Sequence, residues 1–329
     1  MKIRKSGVLI VLVALVCTAG PALAKMEKLV LAGPKSTVTH PMAYMVEAGL
    51  LEEWADEVEL RVWDNPDQLR ALIAGGQADF SAVPSHVAAN FYNRGVPLRL
   101  LNISVWGVLW IVSSDPGVKS LADLKGEEIL LTYRGDLPDL VLTSLATGQG
   151  LDPARDFKLR YLPNFPAAAK QLISSRAKHA MLAEPIASAA LLRSAKMKGK
   201  APKLYRAIDI QEEWGRVHHV KPRMAEAGIC AMPRIAGNPE VVTAFQQAYR
   251  TATEWCRKNP KKAAQIVTRK IPGLKPGPVA SALKNARLQF VAAQNAKPEL
   301  VQFYEIVMGL NPAKIGGKLP DDGFYWKAP

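Results

Sequence analysis

The residue types best suited to chemistry stand where short apolar runs meet prolines that start helices. Tyr133-Arg134-Gly135-Asp136 sets a guanidinium beside a glycine just ahead of Pro138. A forked, permanently charged donor suits an oxyanion, and a glycine lets a ligand approach the backbone. The equivalent place in neighbouring units holds Lys35 and Ser36, Trp63 and Asp64, Ser85 and His86, Asn164 and Phe165, and Glu184. Helix N-termini at such junctions carry unpaired N–H groups and a partial positive charge, so an anionic ligand is the expected guest. Each residue also has a structural reading. Ser36 and Asn164 fit simple caps, Arg134 and Asp136 fit a local ion pair, and Trp63 and Trp106 fit core or hinge packing. Glu184 would be costly to bury without a partner, so it is either a ligand contact or a cross-domain hydrogen-bond acceptor.

Catalytic signatures are missing from the sequence. It has no Gly-x-Ser-x-Gly elbow, no His-Glu-x-x-His, no phosphate loop ending in Gly-Lys-Ser/Thr and no Cys-x-x-Cys. Gly75-Gly76 reads as a helix end, not a dinucleotide fingerprint. Adjacent His218 and His219 point apart on regular structure and have no acidic or cysteine neighbour. The expectation is therefore a protein with no catalytic residue, no metal and no cofactor.

The elements that must position these residues repeat one pattern. Apolar runs at Leu29–Ala32, Val58–Trp63, Asp79–Val83, Glu128–Thr132, Lys158–Leu162 and Ala180–Ala183 each precede a proline: Pro41, Pro66, Pro84, Pro138, Pro166 and Pro185. Proline at the first helical position loses nothing, because that N–H has no intrahelical partner. Six strand–proline–helix junctions predict an α/β fold with mainly parallel strands. The helix opened by Pro41 is expected to run toward Trp54. Leu98–Ser113 is too long for one average strand and reads as a strand leaving one domain for a second. Ser120-Leu-Ala-Asp123 predicts a capping box closed by Gly126. Ala227–Met232 reads as the return crossing. Pro239–Cys256 carries an apolar stripe at helical spacing, with Asn238 as cap and Asn259-Pro260 as stop. The chain beyond it is expected to be helical, ending in a Pro/Gly-rich tail.

The 329 residues, 49% hydrophobic and 22% charged, suggest two ordinary globular domains. Lys2, Arg4 and Lys5 precede the apolar run Val8–Val16, and Ala22-Leu23-Ala24 offers a cleavage site, which is the layout of a signal peptide over 1–24. Removing those three cations from the net +14 leaves +11 on the remainder. Such an excess fits an anionic ligand, an anionic membrane surface or nucleic acid. Export argues against nucleic acid, and the run Lys196–Lys200 reads as a solvated loop. Cys230 and Cys256 would be compatible with one disulfide or with buried free thiols.

These pieces together resemble the solute-binding proteins of ABC importers for nitrate, sulfonate and taurine, the group that includes thiamine-pyrimidine-precursor binders. The matching segments are Ala48-Gly49-Leu50-Leu51 before Val58-Glu59-Leu60, Leu72 through Phe80, Gly95-Val96-Pro97-Leu98, Lys119 through Gly126, Ala183-Glu184-Pro185, and Trp255 through Ala264. The resemblance implies a two-lobed periplasmic-binding-protein fold (type II), two α/β domains joined by two crossover strands. Lobe I would hold 25–107 plus 233–329, and lobe II 108–232. It implies a periplasmic monomer that binds a small, anionic organic solute between the lobes and delivers it to an ABC permease. Lys35, Ser36, Trp63, Asp64, Ser85, Trp106, Tyr133, Arg134, Asp136, Asn164 and Glu184 are the expected ligand contacts. Two departures blur the ligand: Val83-Pro84-Ser85 replaces a glycine followed by a small hydroxyl residue, and Ala183 stands where many members carry tryptophan. Trp63, Trp106 and Tyr133 favour a solute with a ring or an apolar part. Two other readings share the fold. One is a secreted sensor presenting solute to a membrane receptor. The other is a pyrimidine-precursor synthase, whose Cys-Cys-Cys-Phe-Cys motif this chain lacks.

Overall fold

The computed structural model describes residues 25–328; the expected signal peptide lies outside the described residues. Four strands come first: β1 (Met26–Pro34), β2 (Ala55–Trp63), β3 (Phe80–Pro84) and β4 (Arg99–Val105). The next five are β5 (Leu109–Ser113), β6 (Glu128–Thr132), β7 (Lys158–Leu162), β8 (His179–Ala183) and β9 (Tyr205–Asp209). The last two are β10 (Ala227–Ala231) and β11 (Leu288–Ala292). They form a six-stranded sheet ordered β11-β4-β10-β3-β1-β2 and a five-stranded sheet ordered β7-β6-β8-β5-β9.

Between residues 98 and 113 the chain passes from one sheet to the other. β4 ends at Val105 in the first sheet and β5 starts at Leu109 in the second. The return differs from expectation and corrects the lobe II boundary at 232. β10 pairs antiparallel with β3 and β4, so 227–231 belongs to the first sheet and the second crossing lies earlier, between β9 and β10. The apolar composition of β10 reflects burial in the middle of a sheet, which a crossing strand and a central strand share. Gly228 lets the neighbouring backbone come close, since a Cβ there would meet the Asn102 carbonyl oxygen at 1.8 Å.

Pro41, Pro66, Pro138 and Pro166 lie in the first turn of their helices as expected, whereas Pro84 and Pro185 stand one residue earlier, at the N-cap. Asn65, Asp136 and Asn164 precede Pro-initiated helices, and their side chains accept from Gln68, Leu137 and Ala167 N–H groups at 3.0, 2.8 and 2.9 Å. Ser120 and Asp123 form the reciprocal capping box. The first helix stops at Glu47, short of Trp54, because Gly49 turns the chain with φ +63°. Asn259-Pro260 ends one helix and at once begins the next, Pro260–Lys270. β11 interrupts the C-terminal region that periodicity presented as helical.

Around the first sheet, Phe80 stacks on Phe245 with ring centroids 3.8 Å apart, and Phe245 on Tyr249 at 5.9 Å. The buried Tyr249 hydroxyl donates to the Val38 carbonyl at 2.8 Å and lies 2.8 Å from Ser104 Oγ, so its burial leaves no polar atom unpaired. Cys230 and Cys256 are buried free thiols, not a disulfide, and burial pushes the Cys256 thiol up to about 12.

Candidate functional site

The carboxyl ends of β3 and β6 lead into two helices whose N-termini meet across the lobes. His86, in the first turn of the helix Ser85–Asn93, lies with Nε2 3.1 Å from Asp136 Oδ1. Asp136 caps the helix Leu137–Gly148, so two helix N-termini converge on this pair. Burial opposes the charge on Asp136, but the hydrogen bond and charge of His86, the Lys314 ammonium at 3.9 Å and the Leu137 N–H prevail and hold its carboxyl down at about 2. Ser85 is tied from behind: its hydroxyl donates to the Ala225 carbonyl, its carbonyl accepts from Tyr304 OH at 3.0 Å, and its N–H donates to the Glu226 carbonyl at 2.8 Å.

Several side-chain groups at strand ends are buried without a hydrogen-bond partner. They are the Thr37 hydroxyl and both His40 ring nitrogens after β1, the Trp63 indole N–H at the end of β2, the outer His86 nitrogen after β3 and the Thr132 hydroxyl at the end of β6. An unpaired buried polar group costs about 1–3 kcal/mol, so each of these groups calls for a partner, as do others away from these ends such as Asn102, Gln211 and Tyr325. Burial alone takes His40 down to about 3, which leaves its ring neutral and able both to donate and to accept.

That depressed value has a measurable consequence. Between pH 6.5, where His40 titrates when unfolded, and about 3, only the unfolded chain takes up the proton. Native stability should therefore fall with acid, by about tenfold in the folding constant per pH unit. His40→Gln should give a shallower urea-midpoint profile over that range; parallel profiles would exclude His40 as the cause.

The second lobe contributes an exposed cation. Tyr133 has φ +56°, an uncommon conformation for a residue with a side chain, and Gly135 has φ +69°. This twist leaves Tyr133 40% exposed and places it edge-on to Phe165, with centroids 5.5 Å apart. The Arg134 guanidinium lies 5.2 Å from the Tyr161 ring centroid and has no ion-pair partner among the described residues. Asp139 braces the loop by accepting from Gly135 N–H at 2.7 Å and from Tyr161 OH at 2.8 Å.

The structure separates the expected contacts. Trp63 ends β2, Ser85 follows β3, and Tyr133, Arg134 and Asp136 follow β6, with Asp136 meeting His86 across the lobes. Lys35 and Asp64 are exposed and pair with each other at 2.8 Å. Ser36 makes no side-chain cap, while the Asn164 amide oxygen is committed to capping. Glu184 is buried but satisfied within its own lobe, by Arg206 Nη2 at 2.6 Å and Ser188 N–H at 3.1 Å. Trp106 departs from the expectation: its indole N–H donates to the Gln289 carbonyl at 2.9 Å, Arg223 sits 4.1 Å over its ring, and it lines a separate cavity beside the crossings. His218 is fixed by Ser144 at 3.0 Å and packs on Trp214. Thr37 and Thr132 escaped the sequence reading because a lone threonine after a strand carries no spacing signal.

The family model of the phosphonate periplasmic substrate-binding protein of ABC transporters matches residues 29–254, well over half of the chain. The chain belongs to that family. Solved structures share the binding protein's fold. An ABC transporter protein from Parabacteroides distasonis aligns with TM-score 0.76 and 21% identity, covering 92% of this chain and 100% of the other. The periplasmic aliphatic sulphonate binding protein SsuA from Escherichia coli gives 0.71 and 17%, covering 92% and 93%. The periplasmic nitrate-binding protein NrtA from Synechocystis PCC 6803 gives 0.59 and 17%, covering 82% and 74%. Among curated proteins, none matches this chain. The binding protein is thus an ABC-transporter periplasmic substrate-binding protein of mixed α/β fold, in a family that binds solutes rather than transforming them. Among the described residues, no helix is long and apolar enough to cross a membrane.

Proposed function

We propose that this binding protein captures a small organic oxyanion with an apolar or ring-bearing part between its two lobes and hands it to its permease as a monomer without turnover. The single observation that carries this reading is the set of unpartnered buried polar groups on Thr37, His40, Trp63, His86 and Thr132 at strand ends. Arg134, two residues after Thr132 and without an ion-pair partner among the described residues, supplies the charge complement, and Tyr133, Phe165 and Trp63 supply apolar surface. The sulphonate- and nitrate-binding relatives of the same fold agree in ligand charge. A solute touching both lobes favours their closed arrangement only by its differential affinity for it, and contacts from Arg134 on one side and Trp63 on the other supply that difference.

The test is native mass spectrometry of the protein purified without denaturant, then a denatured run to identify any released molecule, followed by titration of that class of anion. We expect one organic oxyanion per chain, and binding weakened tenfold or more by Arg134→Ala, as loss of a charge-assisted pair implies. A cationic or neutral solute, or unchanged affinity in a folded Arg134→Ala variant, would overturn the assignment.

A further inference from the structure

A second concavity lies beside the crossings. A cavity of about 670 Å³ is lined by Trp106, Lys221, Arg223, Arg257, Lys284 and Arg287, together with apolar and amide neighbours. Its lining contains five cationic side chains and no carboxylate. Three of the cations are answered from outside the lining. Lys221 and Arg223 share Glu299, at 3.2 and 2.5 Å, and Arg287 reaches Asp209 at 3.1 Å and Glu212 at 2.5 Å. Arg257 and Lys284 form no ion pair among the described residues. Both stand in the last turns of their helices, Pro239–Cys256 extended to Lys258 and Pro276–Asn285, where the helix dipole answers about half a charge each. The lining therefore keeps a positive excess, concentrated in a concavity large enough for a small molecule.

We propose that this cavity is a second, anion-binding site that takes a small multivalent anion bearing phosphate or several carboxylates. Guanidinium groups from three segments converge on it, which is the geometry that receives several oxyanion oxygens at once. The site also touches both crossings. Trp106 follows β4 on the outward crossing, and Lys221 and Arg223 precede β10 on the return. Arg287 spans from the first lobe to Asp209 and Glu212 beside β9 in the second. An anion held here competes with those carboxylates for Arg287, so its occupancy is coupled to the angle between the lobes.

The experiment is calorimetric titration of inorganic pyrophosphate into the mature protein in low-salt buffer, with parallel titration of an Arg257→Gln/Lys284→Gln variant. The control is Lys196→Gln/Lys198→Gln, which removes the same charge from an exposed loop elsewhere. We expect one pyrophosphate per chain, affinity lowered tenfold or more in the cavity variant, and little change in the control. An Arg134→Ala variant should retain this binding, which separates the cavity from the cleft and from the solute assignment made above. No binding at millimolar pyrophosphate, equal weakening in cavity and control variants, or loss through Arg134→Ala would each overturn the second site.

Discussion

Gly228→Ala should cost the protein more than about 4 kcal/mol, the range reserved for changes that force a backbone apart. Gly228 sits in β10 opposite Val83 of β3 and Ile103 of β4. Register shifts between Ala227 and Gly228, and between Ile229 and Cys230, press β10 against β4 at this point. A methyl group would stand 1.8 Å from the Asn102 carbonyl oxygen and 2.8 Å from its carbon. Neither atom belongs to a side chain that can rotate away, so the strand must move and weaken ladders on both sides. Urea unfolding is the measurement. Gly237→Ala, where an added methyl meets nothing within 4 Å, should stay within about 0.5 kcal/mol of wild type. Gly228→Ala unfolding within 1 kcal/mol of wild type, to order of magnitude, would mean that β10 and β4 can separate freely.

Glu226→Gln should act in the opposite direction. Glu226 lies on the return crossing, with its N–H donating to Val105 at 3.1 Å and its Oε1 3.4 Å from the Val108 N–H. Burial pushes its carboxyl up to about 8, and Asp209 adds to the rise while the Val108 N–H opposes it. The unfolded carboxyl titrates near 4.5, so between 4.5 and 8 the native chain holds a proton that the unfolded chain has lost. Stability accordingly falls as pH rises across that window. The amide keeps the acceptor for Val108 and removes the titration. We expect Glu226→Gln to be more stable than wild type by about 3 kcal/mol at pH 7, with the advantage vanishing below pH 4.5. Equal stability at all pH values would show that Glu226 is ionised in the native state and held by groups other than those named.

How far the sequence disclosed this molecule depended on whether a feature was local. Asn65-Pro66, Asp136 before Pro138 and Asn164 before Pro166 announce their helices because cap and proline act within one turn. β11 was not legible, since Leu288–Ala292 owes its extended form to pairing with β4, far away in sequence. The end of lobe II was misplaced for a related reason: nothing in Ala227–Ala231 itself says which sheet receives it. At the site, Arg134 and Trp63 stand out by residue type. Thr37, His40 and Thr132 become notable only through what they lack in three dimensions. Glu184 illustrates the converse, because its partner Arg206 comes from β9, a strand with no proline junction to mark it.

The position of β10 also governs when the protein can first exist. β3 and β4 are separated by the strand that residues 227–231 supply, so everything from Val105 to Glu226 must be synthesised before the first sheet can close. At a ribosomal pace of about 5–20 residues per second, the nascent chain spends several seconds with its largest sheet lacking a middle. In that interval the first sheet has no continuous core, whereas the second sheet, whose strands all lie within 109–209, already has all of its strands. The late strand thereby makes the first lobe the last part of the molecule that can become stable.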